Sequence, residues 1–450
     1  MRALLPALFL LSCGNGKSPE KPDPVYGPGD EIGTTPDFYD HVPTNLIMIS
    51  IDTFRRDHLP RYGDKDIAGF LGVLQETGVP LDDHTTCSNW TFPGTVCTLR
   101  GAYNVENGFI PKIDKDTRKP IPMFSDFLAG WLGDQGYFSV LSSGNEWVST
   151  EWNSTQGFDI ALEPQGGDAG FLSSEGISSL EAAIDQGKAD KWYLHLHLME
   201  PHAPYQPPQR YLGALDKLPN VAYNLGVKDE HYDATASFPT MTDEQQENLE
   251  AHLRTRYEGE ISYFDDQLFW IFNDLEHRNL LDDALLVIWN DHGEQFWEHG
   301  KQSHAYGLHR EENDGWVIFW AKNIVAEAWT EPTSAIDLVP TILKLQGFDI
   351  PEEVTGNALG ERDPLAPRFA TSVARSGAVQ SVRKENWKLI FNWKGTLRLY
   401  DLDADPNEQD NLYSTSHPKA QELWQELRPY VEAAEPLATE YDVNWPLGLD

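Results

Sequence analysis

Three short stretches of this 450-residue chain carry side chains able to do chemistry together. "NLIMISID" ends an apolar run in Asp52, and "LLVIWNDH" ends another in Asp291 and His292. Carboxylates collect hard divalent cations, and an added imidazole admits transition metals. Taken singly, each acid could cap a helix or salt a loop. Two apolar runs that both end this way, one with an adjacent His, make a divalent-metal site the better reading. Two carboxylates, one His and a hydroxyl admit Ca2+, Mg2+ or Mn2+, and the imidazole tilts the choice towards Mn2+ or Zn2+.

The third stretch is "NWTFPGTVCTLRG", residues 89–101, which offers Thr91, Thr95, Cys97 and Thr98, with Cys87 just upstream. A Thr hydroxyl is inert at neutral pH and becomes a nucleophile when a metal or base lowers its pKa. Thr91 stands where an approach loop feeds a helix, and the helix N-terminus would add a positive dipole for an anionic group. A plain N-cap role for Thr91 is the alternative, and the two roles are compatible. His195 and His197 share one strand face at period two; His197 could line the site or simply pack. Asn107, in "ENGF", could hydrogen-bond a substrate oxygen or mark a turn.

Elements able to position these groups can be read around them. "NLIMISID" (45–52) reads as a buried strand, "IAGFLGVLQETG" (67–78) as a helix with a Gly stop, and "MFSDFLAGWLGDQGY" (123–137) as a second such helix before the strand "FSVLSSGN". "WYLHLHLMEPHAPY" (192–205) reads as a strand with a Pro-punctuated exit, and 243–276 as a long helix leading into the apolar run before Asp291. Alternating helices and apolar strands predict an α/β fold with a doubly wound, mostly parallel sheet. Sites in such sheets form at the carboxyl ends of strands, where Asp52, His202 and Asp291–His292 all fall. Further on, 378–412 reads as short strands joined by polar turns and 418–434 as an amphipathic helix, a small C-terminal α+β subdomain.

The charge balance is 34 basic against 71 acidic residues, a net charge of −37. This argues against a nucleic-acid or anionic-membrane surface, and an anionic substrate needs a metal or local cations to reverse the field. The N-terminus has one Arg, a short apolar run from Ala3 to Leu11, and then "LLSC", which resembles a bacterial lipobox with Cys13 as the lipidated residue. A flexible Gly/Ser/Pro/Lys tether follows. The division expected is therefore a signal peptide over 1–20, a tether over 21–42, a catalytic domain over 43–350 and a C-terminal subdomain over 351–450. The localisation expected is export, with a lipid anchor as the membrane contact. Cys87 and Cys97 then read as a disulfide closing a short loop.

With these motifs in order, the chain resembles the sulfatase family of the alkaline phosphatase superfamily. "NLIMISIDTFRRDHLPRYG" resembles its opening strand and metal-acid motif, "WTFPGTVCTLRG" its nucleophile segment and "HLHLMEPHAPY" its central His-Pro motif. "LLVIWNDHGEQFWEHGKQSH" resembles its second metal motif, "SAIDLVPTILKLQGF" the close of its main domain, and "WKLIFNWKGTLRLYDLDADPNEQDNL" its C-terminal strands. The resemblance implies one divalent metal, commonly Ca2+, and a nucleophile that passes a sulfuryl or phosphoryl group to water. It implies Asp52, Asp291 and His292 as metal ligands and Thr91 as nucleophile in contact with the metal. It makes His202 an oxyanion donor or leaving-group acid and His304 a second cationic or acid group, with Lys301 a further substrate-binding candidate.

The departures from the family pattern sharpen the expectation. The family's Cys-x-Pro-x-Arg, whose Cys becomes formylglycine, reads here as Thr91-Phe92-Pro93-Gly94-Thr95. Thr53 follows Asp52 where a second acid is usual, and of the residues that grip the transferred group after the "GY" strand only Asn145 is offered. The reading is a metal-dependent hydrolase of sulfate, phosphate or phosphonate esters with a direct Thr91 hydroxyl nucleophile, favouring phosphorus esters. A transferase of phospho-groups among envelope glycans or lipids and a degenerate surface binding protein are the competing readings.

Overall fold

The computed structural model describes residues 36–446 apart from 107, 113–118, 124–126, 165, 376 and 440. Cys13, the leader and most of the tether, and Asn107 therefore lie outside the described residues. The centre is a sheet made from β1 (Asn45–Ile51), β2 (Val79–Thr85), β3 (Tyr137–Ser143), β4 (Ile160–Leu162), β5 (Lys191–Leu198) and β6 (Ala284–Asn290). A two-residue hairpin pair follows, β7 (Gln295–Phe296) with β8 (Gln302–Ser303). The chain then returns to the sheet in β9 (Asp314–Gly315), β10 (Val317–Trp320) and β11 (Trp329–Ser334). The order across the sheet is β11-β2-β10-β6-β1-β5-β3-β4, with β9 on β2. β1 pairs in parallel with both β5 and β6, while β10 runs antiparallel to both its neighbours. The mostly parallel α/β sheet expected from the sequence is thus the fold, and the buried apolar runs are its middle strands.

Those strands read as runs because both faces are covered. Every residue of β6 and all but Asn45 of β1 are buried. On one face Ile47, Ile49 and Ile51 pack with Leu194, Leu196 and Leu198 beneath the helices Ala169–Asp185 and Asp243–His277. On the other, Leu46, Met48, Tyr193, Val287 and Trp289 meet the helices Thr91–Arg100 and Leu338–Leu345. The long helix starts at a capping box, in which Thr242 and Gln245 satisfy each other's backbone N–H groups. Of the segment expected to be helical over 123–137, the helix is Leu128–Asp134. Its C-terminal end is fixed by the chain reversing through Gly136 at φ 86°. No helix among the described residues is long and apolar enough to cross a membrane.

The C-terminal strands form a four-stranded antiparallel meander, β12 (Arg368–Ala374), β13 (Gly377–Lys384), β14 (Trp387–Asn392) and β15 (Thr396–Asp401), backed by the helix Pro418–Ala434. This helix turns Leu423, Trp424, Leu427 and Val431 inward, with Pro418 in its first turn, where a missing N–H costs nothing. Its core is continuous with the main domain: Cys87, Cys97 and Tyr103 pack with Phe369, Val373 and Trp393. Cys87 and Cys97 are disulfide-bonded, with Cα atoms 6.7 Å apart. The bond ties the loop after β2 to the middle of the helix Thr91–Arg100.

Candidate active site

The carboxyl ends of β1, β3, β5 and β6 converge on one buried cluster. Asp52 follows β1, Asn145 follows β3, His197 is the last residue but one of β5, and Asp291 with His292 follows β6. Asp52, Asp291 and His292 each offer a ligand atom, and these atoms lie within 4.8 Å of one another. His292 Nε2 is 3.5 Å from Asp52 Oδ1 and 3.7 Å from Asp291 Oδ2. Asp52 Oδ1 and Asp291 Oδ2 are buried without a hydrogen-bond partner. His292 Nδ1 donates to the Gly293 carbonyl at 2.9 Å, which leaves the Nε2 lone pair facing the acids.

This arrangement fits a divalent cation on chemical grounds. Two buried carboxylates side by side repel, so the Asp291 carboxyl is held well above its ordinary range, by burial first and by Asp52 second. Burial above all pushes the His292 imidazole down to about 3 and keeps it neutral. Orphaned carboxylate oxygens and a neutral imidazole with its lone pair inward are a donor set for a metal.

Thr91 is the first residue of the helix Thr91–Arg100. Trp90 takes the N-cap position in extended conformation, without a side-chain cap. The capping alternative therefore falls away, and the hydroxyl turns into the cluster. Thr91 Oγ1 lies 3.5 Å from Asp52 Oδ2 and 3.5 Å from His292 Nε2. Asn145 Nδ2 donates to Asp52 Oδ2 at 2.7 Å and reaches Thr91 Oγ1 at 3.3 Å. The helix can come this close because residue 94 is Gly: a Cβ there would stand 2.9 Å from the Asp291 carbonyl oxygen. Thr95, at the position of the family's Arg, folds its hydroxyl back onto the Thr91 carbonyl at 2.8 Å.

Two further histidines face the cluster from the loops. His202, half-buried, donates Nδ1–H to the Ala203 carbonyl at 2.6 Å. His304 donates Nδ1–H to Glu294 Oε1 at 3.1 Å, and Glu294 Oε2 accepts from Tyr205 at 3.0 Å. The His304 ring is 4.6 Å from the His292 ring and 5.2 Å from that of His202. His304 is held well below the ordinary imidazole range by burial, then by the charges of His202 and Arg375. Lys301 is exposed on the turn between β7 and β8, in a groove beside the cluster.

Glu294, Arg375 and a string behind Asp52 were not read from the sequence. Ser50 Oγ lies 2.9 Å from His195 Nε2 and 2.8 Å from His197 Nδ1, Tyr193 OH lies 3.1 Å from His195 Nδ1, and His197 Nε2 stands 3.9 Å from Asp52 Oδ2. The period-two histidines were visible as one face. What gave them a partner was the register that sets Ser50 beside His197. Burial holds both imidazoles down to about 3.

A model of the sulfatase family matches residues 44–348. The choline-sulfatase of Rhizobium meliloti (strain 1021) is 24% identical over 263 residues, 54% of this chain and 50% of the relative. PehA of Trinickia caryophylli, described as a multifunctional alkaline phosphatase superfamily protein, is 22% identical over 337 residues, 63% of each chain. The chain thus spans about half to two thirds of the length of these curated relatives. Among solved structures, the phosphonate monoester hydrolase of Silicibacter pomeroyi superposes with a TM-score of 0.66 at 19% identity, covering 90% of this chain and 97% of that one. A structure solved in complex with its substrate D-glucosamine-2-N,6-O-disulfate gives 0.64 at 17% identity, over 89% and 99%. The chain belongs to the sulfatase family, whose members generally bind a divalent metal.

Proposed function

We propose that the chain hydrolyses an anionic ester of sulfate or phosphorus at this cluster, with Thr91 Oγ1 as nucleophile and phosphorus esters preferred. The observation that carries the reading is the placement of Thr91 Oγ1 3.5 Å from both Asp52 and His292, beside two orphaned carboxylate oxygens. Asp52, Asp291, His292 and Thr91 would hold one divalent ion. Ca2+ is the ion suggested by family, with Mg2+, Mn2+ and Zn2+ also suited to the ligands. Bound there, it supplies charge neutralisation and a lowered hydroxyl pKa. The sulfatase relatives and the phosphonate monoester hydrolase support both ester classes as candidates.

The residues divide the reaction as follows. Thr91 loses its proton towards Asp52 Oδ2, and its oxygen bonds to sulfur or phosphorus as the ester bond breaks. His202, or His304 once the bound anion and Glu294 draw a second proton onto its ring, delivers a proton to the departing oxygen. Water then cleaves the Thr91 ester: its hydroxide joins the released acid, its proton returns to the histidine, and Asp52 gives the first proton back to the Thr91 oxygen. Asn145 holds Asp52 and Thr91 in register throughout. We further propose export and anchoring through Cys13, a reading supported by the leader sequence.

The test is turnover of aryl sulfate, phosphate monoester, phosphate diester and phosphonate ester by the native protein and its Thr91→Ala variant, each with added metals. The expected loss is about a thousandfold or more for the ester preferred by the native protein. Equal rates in both proteins would remove Thr91 as nucleophile. Product analysis with an added alcohol separates hydrolysis from transfer.

A further inference from the structure

A groove of about 840 Å³ is lined by three parts of the chain, 232–246, 297–306 and Arg375, and its Ser303 immediately precedes His304. The β7–β8 hairpin supplies Lys301 on its turn, and Arg375 enters from the end of β12 in the C-terminal sheet. Arg375 Nη1 donates to Ser303 Oγ at 3.2 Å, one residue before His304. Both cations lean on the Tyr306 ring, with Lys301 Nζ 5.6 Å and the Arg375 guanidinium 5.4 Å from its centre. Among the described residues neither makes an ion pair with a carboxylate, although acids outnumber bases 71 to 34 in this chain. Both are exposed.

The backbone here is held in unusual conformations. Trp297, Ser303 and Ala305 have φ of 66°, 80° and 67°, values that cost a side-chain-bearing residue energy. The groove is also lined by aromatic rings: Trp297, on the same hairpin turn, stacks on Phe238 with ring centres 3.8 Å apart and planes 12° from parallel, and Tyr232 joins the lining. Two cations sharing a groove with aromatic rings suit a ring carrying an anionic substituent.

We propose that this groove is a second-anion subsite, in which Lys301 and Arg375 bind a sulfate, phosphate or carboxylate on the same ring-bearing molecule whose ester enters the Thr91 cluster. The proposal rests on reading that cluster as the hydrolytic site, and it makes the preferred substrate at least doubly anionic. Arg375 is hydrogen-bonded to Ser303, whose neighbour His304 faces the cluster, and this contact joins the subsite to the ester position.

The experiment measures binding rather than turnover. The metal-loaded Thr91→Ala protein is titrated calorimetrically with glucose 6-phosphate and glucose 1,6-bisphosphate, then with the corresponding mono- and disulfates of glucose. Binding of the doubly charged member is expected to be about tenfold or more tighter in at least one pair, the size of one or two charge-assisted contacts. Adding Lys301→Gln and Arg375→Gln is expected to bring that ratio close to one, with an unchanged melting temperature showing that the protein is folded. Equal affinities within both pairs, no measurable binding of either doubly charged probe, or a ratio that survives both substitutions would each overturn the proposal. Failure of the hydrolytic reading looks different: the native protein turns over no ester, whatever the binding ratio.

Discussion

Along β1, Ile47, Ile49 and Ile51 enter a core with Leu194, Leu196 and Leu198, whereas Ser50 on the opposite face meets His195 and His197. The strands are the same and the burial is equally complete. One face is dry and closes with aliphatic packing under two long helices. The other carries a polar string, Tyr193–His195–Ser50–His197, that ends 3.9 Å from Asp52. Burying imidazoles costs stability unless each nitrogen finds a partner. The string satisfies three of the four and aims the fourth, His197 Nε2, at the acid. A fold concerned only with stability would have put leucines there; on the function proposed above, the difference marks the face that serves the chemistry.

The largest break in this contrast should come at the polar end. Asp291→Asn removes one of two carboxylates from a cluster whose second oxygen has no protein partner. We expect metal content measured by mass spectrometry to fall to near zero and turnover to drop by about a thousandfold, the cost of losing one preorganised charge in a dry site. A full complement of bound metal in this variant would show that the ion sits elsewhere. The dry face gives the next largest effect and a different signature. Leu196→Ala deletes a fully buried side chain and should cost about 3 kcal/mol in denaturant unfolding. The folded fraction should keep its turnover, and a loss of turnover per folded molecule would mean that the two faces are not separable.

Ser50→Ala probes the boundary between the two. It strips His195 Nε2 and His197 Nδ1 of their shared partner, so unfolding free energy should fall by about 1–3 kcal/mol. It should also lower kcat by about tenfold by letting His197 turn away from Asp52, an effect of the kind seen when groups behind a metal ligand are lost. A purely thermodynamic effect with kcat intact would make the string a packing device and nothing more.

Much of this was legible before any coordinates. Asp52, Asp291 and His292 were readable because apolar runs long enough to be buried strands must deliver their last residue at the sheet's carboxyl edge. Thr91 was readable from a Pro and a Gly at a loop-to-helix junction, although which of its two roles prevailed depended on Trp90 taking the cap. Glu294 sat two residues from a chosen ligand and was missed, because its partner His304 lies across a hairpin whose left-handed residues have no signature outside glycine. Arg375 was illegible for a different reason. It reaches Ser303 from another sheet, and sequence patterns carry periodicity within an element, not contact between elements. Asn145 was offered as a substrate contact; its place against Asp52 and Thr91 depends on β3 lying two strands away from β1.

The smallest expected effect is a pH dependence arising on the dry side. Glu260 and Asp265 sit on the helix Asp243–His277 that covers the aliphatic face, Glu260 accepting the Gln206 N–H and Asp265 the N–H groups of Phe70 and Leu71 at 2.8 and 2.9 Å. Burial raises Glu260 to about 8 and Asp265 to about 7, and the backbone donors only partly offset it. Both are shifted upward, so the folded chain holds these protons more tightly than the unfolded one. Their contribution is full below the ordinary carboxyl range and is lost as pH rises through about 7 and 8. The melting temperature should therefore decline from pH 5 to pH 8.5, and Glu260→Gln should flatten that decline while leaving metal content unchanged. An identical slope in both proteins would place the pH sensitivity elsewhere. The contrast with Asp291 is the point of the measurement. Both carboxyls are raised chiefly by burial, but Asp291 also faces Asp52 and has an orphaned oxygen beside a neutral His. A proton suffices to neutralise the acid on the aliphatic side, whereas the paired acids on the polar side are arranged for a cation.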